Sequence, residues 1–258
     1  MNKYALITGG ASGLGKELAK LFAKDKINLF LVSSNINNLA SAKEELEKEY
    51  GVEIHILALD LTNPANFPKV KEYSDAHKLN IKYLVNCAGF GDQCDFKDMD
   101  IDKQIKMVEL NCNCPMYLMR VYINDMLNDD EGSILNIASL ASFFPGPYMV
   151  SYHATKAFLL NISEGINREL KGTKVHVSTV CPGPFTSGFV AKAHNDYVFK
   201  KSKVLSGEKV AEISYKAMNK KKTVLVIGFK NKMTVFLSRF FSRKFVTNGS
   251  AKTLKENA

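Results

Sequence analysis

Tyr4-Ala5-Leu6-Ile7-Thr8-Gly9-Gly10-Ala11-Ser12-Gly13-Leu14-Gly15 is the stretch that decides the fold. An apolar run of strand length, Tyr4–Thr8, leads into a turn crowded with glycines. Leu14, Leu18, Leu21 and Phe22 then recur at helical spacing across Leu14–Lys24. Gly9 permits a tight turn, Gly13 carries no Cβ to block an approaching pyrophosphate, and Gly15 lets the helix pack closely on the strand. Strand, glycine turn and helix in this order place phosphate oxygens on the free N–H groups of a helix N-terminus, at the positive end of its dipole. Gly9, Ser12, Gly13, Leu14 and Gly15 are therefore candidate dinucleotide contacts.

Outward from the turn, the alternation repeats. Short apolar runs fall at Asn28–Ser33, Glu53–Leu59, Tyr83–Asn86, Ser133–Ala138, Lys174–Cys181 and Thr223–Ile227. Several are apolar throughout, as suits strands covered on both faces of a parallel sheet. Helical patterns lie between them, at Leu39–Tyr50, Ile101–Met126 and Tyr152–Leu170. Alternating strands and helices predict an α/β fold: a doubly wound, mostly parallel sheet of about seven strands with helices on both faces. No stretch reads as a linker or repeat, so residues 1–258 are expected to form one domain. Its end carries a basic amphipathic segment, 230–246, and a polar, frayed tail, 247–258. The loop from Pro182 to Ser206 is long enough to serve as a lid or binding loop.

Bulk composition narrows the classes. The 258 residues are 46% hydrophobic and 24% charged, an ordinary globular balance. No apolar run approaches the ~18 residues that a spanning helix needs, and no signal peptide is visible. Five unevenly spread cysteines point to a reduced, cytoplasmic setting. The net charge of +9 is lopsided, because residues 191–258 hold 16 Lys/Arg and 4 Asp/Glu. A solvated basic surface, or attraction to anionic partners, accounts for that. The chain has no nucleic-acid motif, so nucleic acid is not an expected partner. Cys112 and Cys114 point to different helix faces with no accompanying histidine, so no metal site is expected.

The second strand ends in Ser33-Ser34-Asn35, about where the adenosine ribose of a bound dinucleotide arrives. A site selective for NAD(H) usually has an acidic residue there. This one has neutral donors, which tolerate a 2′-phosphate, and Lys16 adds positive charge nearby. NADP(H) is favoured, with NAD(H) still open. Tyr152 and Lys156 stand four apart, on one helix face. A free tyrosine titrates near pH ~10. A neighbouring cation stabilises the phenolate and makes the phenol a usable acid and base. Ser139, after the strand Ser133–Ala138, is placed to hydrogen-bond the same substrate oxygen.

Taken in order, these motifs resemble the short-chain dehydrogenase/reductase family over roughly residues 3–230. The match comprises Thr8-Gly-x-x-x-Gly13-x-Gly15, Asn86-Cys87-Ala88-Gly89, Asn111, Ser139, Tyr152-x-x-x-Lys156 and Pro182-Gly183. The resemblance implies a Rossmann-like fold and an oxidoreductase that interconverts a ketone and a secondary alcohol. It implies a hydrophobic substrate, such as a steroid or 3-oxoacyl compound, and a homodimer or homotetramer. It also implies roles by position. Asp60 and Leu61 would meet the adenine. Asn86, Ala88 and Gly89 would line the adenosine side and steady the central strand. Asn111 would hold a water in a proton relay from Lys156, which also bonds the nicotinamide ribose. Pro182, Gly183 and Thr186 would flank the nicotinamide. Cys87 departs from the family, which usually has a second asparagine there, at an expected small local cost.

Other residues are ambiguous from sequence. Phe90 and Gly91, and the stretch Phe143–Pro147, border an apolar pocket or simply pack the core. His153 reads as structural or exposed. Segment 230–246 suits a pocket lid, a subunit contact or a peripheral membrane surface. A non-catalytic nucleotide-binding protein on the same fold is one competing class, which intact Ser139, Tyr152 and Lys156 disfavour; a membrane-surface protein using the basic C-terminal third is another.

Overall fold

A computed structural model describes residues 2–186 and 204–255. Most of the long loop expected after Pro182, residues 187–203, lies outside the described residues. The element order begins with β1 (Lys3–Thr8), α1 (Gly13–Lys24), β2 (Asn28–Ser33), α2 (Ile36–Tyr50), β3 (Ile54–Ala58), α3 (Phe67–Ala76) and β4 (Asn80–Asn86). It continues with α4 (Ile101–Val108), a π-helical turn (Glu109–Asn113), α5 (Cys114–Asn128), β5 (Gly132–Ile137), α6 (Val150–Glu169), β6 (Val175–Cys181) and β7 (Phe185–Thr186). The chain closes with β8 (Leu205–Ser206), α7 (Gly207–Asn219), β9 (Val224–Val226), α8 (Phe229–Ser238) and α9 (Arg243–Lys255).

Seven strands form one parallel sheet in the order β3-β2-β1-β4-β5-β6-β9, as the apolar runs predicted. Period-two alternation sends successive side chains to opposite faces, and both faces are buried. Ala5, Ile7, Leu29 and Leu31 join Leu18, Phe22, Leu39 and Leu46 on the α1–α2 side. Tyr4, Leu6, Phe30 and Val32 join Val70, Leu118, Tyr122 and Leu159 on the other. Each such fully buried Leu or Phe contributes roughly 1.5–3 kcal/mol.

Between β1 and β4 the strand order reverses, so their carboxyl ends open a crevice. The Thr8 hydroxyl ties that point together, accepting from the N–H groups of Cys87 and Ala88 at 3.1 Å each.

Three sequence expectations are revised. The helix over Ile101–Met126 is interrupted by the π-helical turn at Glu109–Asn113. Segment 230–246 is split between α8 and α9. The tail expected to fray is helical through Lys255, anchored where the Gln93 side-chain amide donates to the Leu254 carbonyl at 3.0 Å.

Candidate active site

The glycine turn is built as tightly as its sequence demands. Gly9 takes φ +70°, and a Cβ there would press on the Ala88 backbone at 3.1 Å. A Cβ at Gly15 would lie 2.2 Å from the Gly9 carbonyl oxygen, so only glycine allows α1 to start this close to β1. Gly13, at φ +52°, faces open space. Ser12 keeps extended backbone at the α1 N-cap without a side-chain cap bond, and the first turn of α1 has no acidic residue. Free N–H groups, a positive dipole end and room in front of them fit a pyrophosphate.

A cavity of about 1110 Å³ runs from this turn across the crevice. Of the expected cofactor contacts, Gly9, Ser12, Gly13, Leu14, Gly15, Ser33, Ser34, Asp60, Leu61, Ala88, Gly89, Tyr152, Lys156, Pro182 and Gly183 all line it. Three stand elsewhere. The Asn35 side chain caps α2, accepting from the Asn38 N–H at 2.9 Å. Asn86 is buried in β4, where its amide donates to Asn136 Oδ1 at 2.8 Å and braces the sheet. Thr186 is exposed on β7, at a neighbouring depression shared with Gly13. Lys16 is also diverted: its amine pairs with Glu45 of α2 at 2.6 Å.

Tyr152 and Lys156 rise from the first turns of α6, and the Lys156 amine lies 5.9 Å from the centre of the Tyr152 ring. Lys156 is buried and donates to the Ile137 carbonyl at 2.9 Å. Ser139 begins a short 3₁₀ turn, Leu140–Phe143, directly after β5. Ser142 in that turn donates to the Lys156 carbonyl at 2.9 Å, fixing the turn to α6.

The electrostatics differ from the sequence expectation. Burial pushes the Tyr152 phenol above its ordinary value, while a hydrogen bond with the Ser139 side chain pulls it down. Burial draws the Lys156 ammonium down to about 8, against the opposing pull of the Cys87, Cys112 and Cys181 thiols. The lowering of the phenol expected from the lysine is not found: burial raises Tyr152, and the group that pulls it down is Ser139. Cys87, at its unusual position, is raised to about 12 by burial and is a small cavity-lining side chain rather than a nucleophile.

Asn111, 1% exposed, sits in the π-helical turn beside these groups. Its amide donates to the Phe90 carbonyl (2.9 Å) and Thr155 Oγ1 (3.1 Å), and its oxygen accepts from the Phe90 N–H (3.2 Å). A Cβ on Gly89 would sit 2.9 Å from Asn111 Oδ1 and 3.4 Å from the Lys156 amine, so glycine keeps the three together.

Sequence reading left much of the cavity wall undecided. Phe90 and Phe144 line it, whereas Phe143 packs into the core. His153 is held in place rather than exposed: its Nδ1 meets the Phe144 carbonyl at 2.8 Å, burial lowers its pKa, and it too lines the cavity. Leu237, Phe241, Phe245 and Leu254 from α8, α9 and the turn between them complete the apolar end. The usable signal was their spacing in a basic amphipathic segment, which did not tell a lid from a surface. Tyr148 gave no sequence signal. It holds φ +67°, costly for a bulky side chain, and its carbonyl accepts from the Cys94 N–H at 2.9 Å, joining two loops, while its neighbour Met149 lines the cavity.

Comparison with known proteins agrees with this geometry. A family model described as short chain dehydrogenase matches residues 3–197. The very-long-chain 3-oxoacyl-CoA reductase of Bos taurus is 31% identical over 186 residues, covering 70% of this chain and 59% of that protein. An NADP-dependent 3-hydroxy acid dehydrogenase of Schizosaccharomyces pombe is 29% identical over 235 residues, 87% of this chain and 90% of the yeast protein. Among solved structures, a short-chain dehydrogenase from Sphingobium yanoikuyae in complex with NADPH superposes with a TM-score of 0.84 at 26% identity, over 93% of each chain.

Proposed function

Because the chain belongs to the short-chain dehydrogenase family, we propose that it is an NADP(H)-dependent oxidoreductase interconverting a ketone and a secondary alcohol on a hydrophobic substrate. One observation carries this reading: Ser139, Tyr152 and Lys156 converge on the wall of the cavity that begins at the glycine turn. A nicotinamide bound along this wall would supply hydride to a carbonyl carbon in reduction and accept it in oxidation. The Ser139 hydroxyl orients the substrate oxygen, and the Tyr152 phenol donates the proton that this oxygen needs on reduction. The Lys156 ammonium, protonated below about pH 8, stabilises the phenolate left behind. Asn111, packed beside Lys156, positions a route by which that proton is replaced.

Neutral Ser33 and Ser34 at the end of β2 favour NADP(H) over NAD(H), and the names of the yeast and Sphingobium relatives support that choice. The aromatic wall of Phe90, Phe144 and Phe241 favours an apolar substrate such as a steroid or 3-oxoacyl compound. We place the protein in the cytoplasm as a homodimer or homotetramer. Free thiols support the first, and exposed Ile101, Ile105, Val150 and Phe158 on α4 and α6 support the second. Light scattering on the purified chain reads the assembly.

NADPH oxidation over a panel of hydrophobic ketones tests the reaction. Tyr152→Phe is expected to lose turnover by about 10²–10⁴-fold, the usual weight of a positioned acid, with NADPH affinity little changed. Near-wild-type turnover in that variant would remove the assignment.

A further inference from the structure

We propose that α8, α9 and the turn between them dock on the surface of an anionic lipid bilayer. At 3.6 residues per turn, Phe229, Met233 and Phe236 of α8 fall within about 60° of one another. Phe240, in the hydrogen-bonded turn that follows, packs its ring edge-on against Phe236 at 5.3 Å. This stripe faces solvent: Phe229 is 77% and Phe240 72% exposed. Phe245, at the start of α9, is also exposed and stacks on Phe241 at 4.7 Å. Singly scattered exposed apolar side chains need no explanation, but a continuous aromatic strip on a largely exposed helix does.

Cations surround the strip. Residues 229–255 hold Lys230, Lys232, Arg239, Arg243, Lys244, Lys252 and Lys255 and no Asp or Glu. Helical spacing sets Lys232 and Arg239 along one flank of the aromatic stripe and Lys230 along the other. That arrangement chooses among occupants. A twofold contact with a second copy would bring two uncompensated positive patches together. An anionic lipid surface offers complementary charge and an apolar layer for the phenylalanines. No helix of the described residues is long and apolar enough to cross a membrane, so the contact lies in the interface plane. The same segment also lines the cavity through Leu237, Phe241 and Phe245, all three of them exposed, so the apolar end of the cavity opens beside the docking surface. The membrane contact rests on the patch alone and stands whether or not the proposed reaction does.

Co-sedimentation of the full chain with lipid vesicles tests it without any activity measurement. Vesicles of phosphatidylcholine with about 30% phosphatidylserine are expected to bind at least about tenfold more tightly than phosphatidylcholine alone, and to release the protein as salt rises. Phe229→Ser with Phe240→Ser is expected to weaken binding at least about tenfold. Lys232→Gln with Arg239→Gln is expected to remove most of the preference for phosphatidylserine. Circular dichroism melting checks that both pairs remain folded, as the exposure of these side chains predicts. Absence of binding to either vesicle would overturn the proposal. So would binding unchanged by both variant pairs, or binding to single-stranded RNA in place of vesicles.

Discussion

Replacing Gly15 with alanine probes the junction on which the whole cofactor side depends. The new Cβ would stand 2.2 Å from the Gly9 carbonyl oxygen and 2.7 Å from its carbon. Carbon–oxygen contacts settle at about 3.3 Å or more, so the backbone has to yield by roughly 1 Å. Neither side can yield easily. Gly9 donates to the Val32 carbonyl at 2.8 Å, and the next strand is tied in through the Thr8 hydroxyl. Overpacking usually costs about 1–3 kcal/mol, and a pinned backbone belongs at the upper end, so we expect a loss of about 3 kcal/mol. Urea denaturation followed by circular dichroism measures it. Gly13→Ala is the companion variant. Its φ of +52° costs about 1–2 kcal/mol for a residue with a Cβ. Its methyl, however, points into open space at the α1 N-terminus, where phosphate is expected. Gly13→Ala should therefore lose NADPH affinity, read by fluorescence titration, out of proportion to its stability. A Gly15→Ala protein within about 0.5 kcal/mol of wild type would refute the reasoning, since that is the range of ordinary surface changes.

Further outcomes follow from the same structure. The folded protein holds the Lys156 proton more weakly (about 8) than the unfolded chain (10.5), so wild-type stability should rise with pH across that window. Lys156→Met lacks this gain, and from pH 8 to 10 the wild-type protein should improve relative to the variant by about 2–3 kcal/mol, at ~1.4 kcal/mol per pH unit; thermal or urea melts across pH read it, and a flat difference counts against a buried amine. Asn136→Ala strands the Asn86 amide that donates to it at 2.8 Å and removes the donor that Ser163 Oγ accepts from at 2.7 Å, leaving that hydroxyl its bond to the Leu159 carbonyl; it should cost about 1–3 kcal/mol in urea denaturation, with the paired change Asn86→Leu recovering part of it.

How much of this was legible in the sequence depended on whether the signal was local. The flat apolar runs of β1, β2, β5 and β6 and the glycine turn could be read directly, because burial on both faces and tight backbone contact restrict residue type. Tyr152 and Lys156 could be paired because four residues make one helical step. The start of β4 was missed because Lys82 interrupts its apolar run; the structure keeps that lysine buried by pairing it with Asp129 at 2.6 Å, a contact 47 residues away. Helix α3 was missed because only Phe67, Val70 and Ser74 turn inward. Asn35 is drawn to an N-cap and Lys16 to Glu45, partners no spacing rule names. The last helix, α9, was marked only at its start, where it overlaps the basic amphipathic segment 230–246; the order of the rest comes from seating against the cavity and from the Gln93 bond.

The central claim is that this cavity joins hydride transfer to proton delivery by Tyr152. Incubating the protein with NADPH deuterated at both C4 positions of the dihydronicotinamide and a hydrophobic ketone, then analysing the alcohol by mass spectrometry, tests it directly. We expect one deuterium on the carbinol carbon and almost no product from Tyr152→Phe. An alcohol without deuterium, or no NADPH consumed across the ketone panel, would contradict the account.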